Sequence, residues 1–155
     1  MQEIDNRYMI FGSLFLISTR LEAIGTSYLD ELTTKQWFFL AVLTTFFDRP
    51  PTISELARQM GSSHQNTKQI ALKLEKKGFL QIEKDANDSR TNRLIVTEKS
   101  IRYGLSNKEK DEQFITELFN GFSNDEIVMF NQNLQKLNDT LNEMQKKYKG
   151  ANDNE

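Results

Sequence analysis

The stretch that decides the fold runs from Thr52 to Glu98 and reads TISELARQMGSSHQNTKQIALKLEKKGFLQIEKDANDSRTNRLIVTE. It opens on Thr52-Ile53-Ser54-Glu55, a capping box in which a hydroxyl at the helix start is matched by a carboxylate three residues on. Ile53, Leu56, Ala57 and Met60 follow at helical spacing. Gly61 ends that run, because glycine accepts the left-handed backbone that closes a helix. Ser62 and Ser63 offer N-caps for a second helix, His64 to Lys77, with an inward face of Thr67, Ile70, Ala71 and Leu74 and a stop at Gly78. Leu80 and Ile82, then Leu94 and Val96, alternate with polar residues as two short strands. The segment Asp85–Asn92 between them is too polar for anything but an exposed tip. Helix, glycine turn, polar-started helix and hairpin together make a winged helix-turn-helix. The fold class is mainly α with a small β-hairpin.

Working outward, Thr33, Thr34, Lys35 and Gln36 form another capping box ahead of Trp37, Phe38, Leu40, Ala41, Leu43 and Phe47. That helix is apolar nearly all round, which predicts a central buried position, and Pro50-Pro51 forbids its continuation. Ile4 to Tyr28 reads as a helix with two apolar stripes, Ile10, Leu14, Ile17, Leu21, Ile24 and Tyr28 beside Ile4, Tyr8, Phe11 and Phe15. Two stripes call for burial on two sides, and a chain of this size rarely supplies both walls, so a partner subunit is expected. After the hairpin, a mostly polar helix runs from Glu98 to about Gly121. Beyond a capping box at Ser123–Glu126, Ile127, Phe130, Leu134, Leu137, Leu141, Met144 and Tyr148 recur at 3 and 4 residues, an a/d seam over three heptads. The expected organisation is residues 1–30 as an N-terminal dimerisation helix, 31–98 as the winged helix-turn-helix, 99–149 as C-terminal dimerisation helices and 150–155 as a frayed tail.

Composition bounds the function. The 155 residues are 37% hydrophobic and 27% charged, enough apolar mass for a core. There is no cysteine and one histidine, which excludes disulfides, thiolate zinc sites and His-rich metal centres. No Ser/His/acid set, phosphate loop or metal-ligand spacing is present, so an enzyme is not expected and no cofactor is called for. No stretch approaches the ~18 uninterrupted apolar residues of a membrane span, and the start lacks the basic region of a signal peptide. A soluble, cytoplasmic protein without a membrane partner is expected. The net charge of −2 conceals an asymmetry. Thr52 to Arg102 holds ten Lys or Arg against six Asp or Glu, a net +4, while the remainder carries −6. A basic middle between acidic ends fits a chain whose middle alone meets a polyanion.

The chemistry of the second helix fits double-stranded DNA. A helix entering a major groove about 12 Å wide needs polar side chains at its N-terminal and outward positions. Here they are Ser62, Ser63, His64, Gln65, Asn66, Lys68 and Gln69, with Lys73, Lys76 and Lys77 further along. Gln and Asn suit adenine, and the lysines can meet phosphates or stay solvated. Arg90 and Arg93 flank the hairpin tip, where a narrow minor groove attracts arginine.

These residues resemble the MarR family of bacterial regulators. LTTKQWFFLAVL, LARQMG, LEKKGFL, the wing motif Asp88-Ser89-Arg90 and the following Val96-Thr97-Glu98-Lys99 carry the resemblance, which extends over the whole length. It implies a homodimer with one winged helix per subunit on a pseudo-palindromic operator, usually a repressor, often released by a small aromatic or phenolic effector. It also implies that Arg90 is the minor-groove arginine and that Asp88 holds the wing through a salt bridge to a basic neighbour. His64 stands where many relatives carry Arg, Thr67 replaces a commoner aliphatic residue, and the cysteine of the redox-sensing branch is absent. Of the aromatic residues, Phe11, Phe15, Trp37 and Phe38 are candidates for an effector site. Two other readings use the fold without DNA: a protein–protein adaptor and a ligand-sequestering protein.

Overall fold

The computed structural model describes residues 5–85, 88 and 90–152. In chain order they form α1 (Asn6–Tyr28), α2 (Thr34–Thr45), α3 (Ile53–Gln59), α4 (His64–Lys76), β1 (Leu80–Lys84), β2 (Asn92–Val96), α5 (Glu98–Leu118) and α6 (Asn124–Asn152). Two compact units result, residues 1–106 and residues 107–155.

Local signals set the ends of the helices in the first unit. Thr33 and Gln36 exchange side-chain and backbone hydrogen bonds at the start of α2, and Thr52 and Glu55 do the same at the start of α3. Ser63 caps α4 by accepting from the Asn66 N–H at 3.2 Å. Gly61 and Gly78 follow α3 and α4 with φ of +62° and +77°, the left-handed conformation that costs most residues about 1 kcal/mol or more. Phe39, Val42 and Leu43 of α2, Leu56 of α3, Ala71 and Leu74 of α4, Phe79 before β1, and Leu94 of β2 form one buried cluster.

α2 is central, as its apolar content predicts, touching α1, α3, α4 and β2. It is not buried all round: Phe38 and Phe46 are 46% and 60% exposed. Among the described residues nothing covers that side.

The hairpin has the register that alternation predicts, Leu80 opposite Val96 and Ile82 opposite Leu94. A single bridge between Thr52 and Arg93, with the Leu94 N–H donating to the Pro51 carbonyl at 2.9 Å, fastens the wing to the chain entering α3. α1 starts under an Asp5 cap, and Ile4 lies outside the described residues. At its other end Gly25 lies against α2: a Cβ there would come within 2.5 Å of the Thr34 hydroxyl. That hydroxyl donates to the Glu22 carbonyl at 2.7 Å.

The apolar stripes of α1 find no cover. Ile10, Phe11, Phe15 and Ile17 are all more than half exposed, and only Gly25 of the helix is buried. By length and composition α1 could cross a bilayer, with a mean hydropathy of 1.2 over 18 residues, although Arg20 and Glu22 interrupt it. The expectation that nothing approaches a span holds for uninterrupted apolar runs and not for this looser test, which core helices of soluble proteins also pass.

In the second unit, Phe119 and Phe122 meet edge-on after α5, and Phe122 stacks on Phe130 of α6. The a/d seam stays open: Leu134, Leu141, Met144 and Tyr148 are 39%, 53%, 43% and 58% exposed. α6 is helical through Asn152, and residues 153–155, the rest of the expected tail, lie outside the described residues.

Candidate nucleic-acid interface

α4 turns its two faces to different tasks. Thr67, Ile70, Ala71 and Leu74 are buried against the core. The hydroxyl of Thr67, where an aliphatic residue is commoner, donates to the Ser63 carbonyl at 2.9 Å and so enters the core satisfied. His64, Gln65, Asn66, Lys68, Gln69 and Lys73 are exposed on the outer face. Of these, only Asn66 is engaged among the described residues, donating to the Ser62 hydroxyl at 2.9 Å. Ser62 and Ser63 thus serve the helix start, leaving His64, Gln65, Lys68 and Gln69 as uncommitted donors and acceptors. Lys77, read from sequence beside Lys73 as a phosphate contact or a solvated end, is committed inward. Its ammonium donates to the Glu31 carbonyl at 2.6 Å and to Gln36 Oε1 at 2.8 Å.

The wing separates its two arginines. Arg90 is exposed, and its guanidinium has no hydrogen bond or ion pair among the described residues. Arg93 points back: Nε donates to Asp85 Oδ2 at 2.6 Å, and Nη1 reaches the Pro50 carbonyl at 3.2 Å and Glu55 Oε2 at 3.4 Å. The wing's salt bridge is therefore Asp85–Arg93, and not one from Asp88 as the resemblance implied. Asp88 instead accepts from the Arg90 N–H at 3.0 Å and the Thr91 hydroxyl at 2.9 Å, closing the turn by local hydrogen bonds. Ser89, between Asp88 and Arg90, lies outside the described residues.

Glu55 ties the wing to the helix-turn-helix. It accepts from the Thr52 N–H at 2.7 Å, pairs with Arg49 at 2.7 Å and faces Arg93. The Thr52 N–H, with smaller help from the Thr52 hydroxyl and Arg49, holds its carboxyl below the usual carboxylate range against the opposing effect of burial.

Between α3, α4 and the wing lies a hollow of about 300 Å³. Its walls are Thr52–Ser54 at the start of α3, His64 and Lys68 of α4, and Arg90–Asn92 of the wing. Thr52 and Ser54 belong to the capping box legible in the sequence, whereas no sequence signal marks Asn92 as a wall of the hollow. A second depression, about 590 Å³, follows Glu109, Glu112 and Glu117 along α5.

The four effector candidates do not line either hollow. Phe11 and Phe15 meet edge-on at 5.1 Å on the exposed side of α1, Trp37 packs against the core cluster, and Phe38 is exposed.

Comparison with known proteins adds three findings. The sequence profile of the MarR family matches residues 31–91. A search of the curated proteins finds no match. Solved structures share the fold over most of the chain. A MarR protein from Peptoclostridium difficile is 21% identical with a TM-score of 0.78, covering 91% of each chain. An organohalide-sensing transcriptional regulator in its 2,4-dichlorophenol-bound form is 19% identical with a TM-score of 0.78, over 88% of this chain and 82% of its own. The MepR–DNA complex of S. aureus gives 18% identity and a TM-score of 0.75, over 89% of this chain and 99% of its own. These identities establish fold alone. The MarR-family profile thus covers the winged helix-turn-helix, and the fold along nine-tenths of the chain is the one seen in MarR-type transcriptional regulators.

Proposed function

We propose that the protein is a homodimeric, sequence-specific DNA-binding regulator, a repressor of pseudo-palindromic operators that a small aromatic ligand releases. The observation that carries the DNA reading is the pairing of an uncommitted polar face on α4 with an unpaired Arg90 on the wing, both on one core-anchored scaffold. His64, Gln65, Asn66, Lys68 and Gln69 face the major groove, Arg90 enters the minor groove, and Lys73 meets phosphate. Arg93 and Asp88 act in this reading by holding the wing. Dimerisation is supported by the open stripes on α1 and α6, contiguous exposed apolar side chains of the kind that mark interaction surfaces. The ligand reading is supported by the dichlorophenol-bound relative in fold and by the exposed Phe11–Phe15 pair.

The test is selection of duplex fragments from genomic DNA followed by anisotropy titration. A selected duplex binding at least a thousandfold tighter than a scrambled one supports the proposal. Equal affinity for both refutes it. Aromatic carboxylates and phenols added to the complex test release.

A further inference from the structure

We propose that the hollow between α3, α4 and the wing seats one backbone phosphate of the DNA strand that divides the major groove from the minor groove. The inference rests on the DNA-binding reading above and assigns a ligand to a place that reading leaves empty. A helix in the major groove and a wing in the adjacent minor groove straddle the sugar–phosphate ridge between the grooves. The ridge must cross whatever lies between helix and wing, and here that is the hollow. Base edges lie on the groove floors and do not reach it.

The charge of the walls fits an oxyanion. Four cations cluster about this part of the fold, and two are already matched: Arg93 by Asp85 and Glu55, Arg49 by Glu55. The Lys68 ammonium and the Arg90 guanidinium, which line the hollow, form no ion pair among the described residues, and no acid is among its lining residues. Ser54 and Asn92, both exposed on the walls, supply neutral donors. At about 300 Å³ the space takes a phosphodiester with bridging water. Lys68 therefore acts as a phosphate contact rather than a base reader, which leaves Gln65, Asn66 and Gln69 to read sequence.

The test compares parent and Lys68→Gln on the selected and scrambled duplexes across a range of salt. The seat predicts that Lys68→Gln weakens both duplexes by the same factor and reduces the log–log salt slope by about 0.9 for each subunit on the duplex, about 1.8 for the dimer. A loss confined to the selected duplex, with an unchanged slope and one relaxed base pair, makes Lys68 a base reader and overturns the proposal. Single uncharged methylphosphonates are then walked along the selected duplex. One position per half-site, between the two grooves, should weaken the parent and leave Lys68→Gln unaffected; finding none overturns the seat. Inorganic phosphate replacing chloride at constant ionic strength should not displace DNA selectively from the parent. Displacement that vanishes in Lys68→Gln reassigns the hollow to free anions and overturns the diester assignment. Parent protein that selects no duplex at all fails the DNA reading itself, whereas selective binding indifferent to Lys68→Gln fails only the seat.

Discussion

Arg90 and Arg93 lie three residues apart on one hairpin, and their replacement by alanine should give opposite phenotypes. Arg93 Nε sits 2.6 Å from Asp85 Oδ2, with the two side chains only 25% and 15% exposed. A charge-assisted hydrogen bond contributes about 1.5–3 kcal/mol, against about 0–1 kcal/mol for a solvated ion pair. The shielding of both ends puts this pair in the upper range. The 3.4 Å approach to Glu55 adds little, and the Pro50 carbonyl can turn to water. Arg93→Ala also leaves the Asp85 carboxylate shielded without its guanidinium. The expected loss is about 2 kcal/mol, or roughly 4–8 °C in Tm for a chain of this size. Arg90→Ala removes an exposed side chain without an internal partner, so its effect on stability should stay within about 0.5 kcal/mol. Its DNA affinity should fall by about 1–3 kcal/mol for each copy on the duplex. Thermal unfolding followed by circular dichroism, at one fixed protein concentration because dimerisation shifts Tm, and anisotropy titration on the selected duplex separate the two. Arg93→Ala melting within about 1 °C of the parent would refute the wing geometry argued here, as would Arg90→Ala melting as low as Arg93→Ala.

Three further outcomes follow from the same geometry. Gly25→Ala forces a methyl against the Thr34 hydroxyl, so it should lower Tm, and Thr34→Ala in the same chain should recover part of the loss; simple addition of the two penalties contradicts the contact. Glu55 has its folded pKa below its ordinary value. Its contribution is therefore present above the ordinary carboxylate range, about pH 4.3, and disappears as pH falls through the folded value. Urea unfolding should be level from neutral pH to about pH 5 and weaken below it. Glu55→Gln should flatten that acid limb; an identical limb in the variant counts against the Glu55 network. Leu134→Glu places a charge in the α6 seam and should convert the dimer into monomer by sedimentation velocity, with secondary structure kept because Leu134 is already 39% exposed in one chain; an unchanged dimer moves the interface elsewhere.

The parts of the fold legible in the sequence are those written in short-range signals. The capping boxes at Thr33–Gln36 and Thr52–Glu55 act within one helical turn, and Gly61 and Gly78 announce left-handed stops by residue type alone. Hairpin register follows from the alternation of Leu80 and Ile82 against Leu94 and Val96. What stayed illegible depends on contacts between distant segments. The wing motif singles out Arg90, but nothing local shows that Arg93 turns inward, because that comes from where Glu55 and Pro50 arrive, some forty residues upstream. Lys77 reads as one more basic residue at a helix end until the Glu31 carbonyl, 46 residues away, is brought beneath it. Asp88 fits a motif, yet Asp85 carries the ion pair, since Asp88 is occupied by the turn it closes. The single bridge between Thr52 and Arg93 has no period to detect. The apolar faces of α1, α2 and α6 are exposed among the described residues, so their sequence pattern alone does not say what meets them.

The central claim is that two copies of this chain hold two α4 helices on one duplex. Hydroxyl-radical footprinting of the selected duplex, with native mass spectrometry of the same complex, tests it most directly. Two chains per duplex, with a pair of protected segments whose centres lie about 10–10.5 base pairs apart or a multiple of that, is the predicted result. One chain per duplex, or protection with no two-fold repeat, would contradict it.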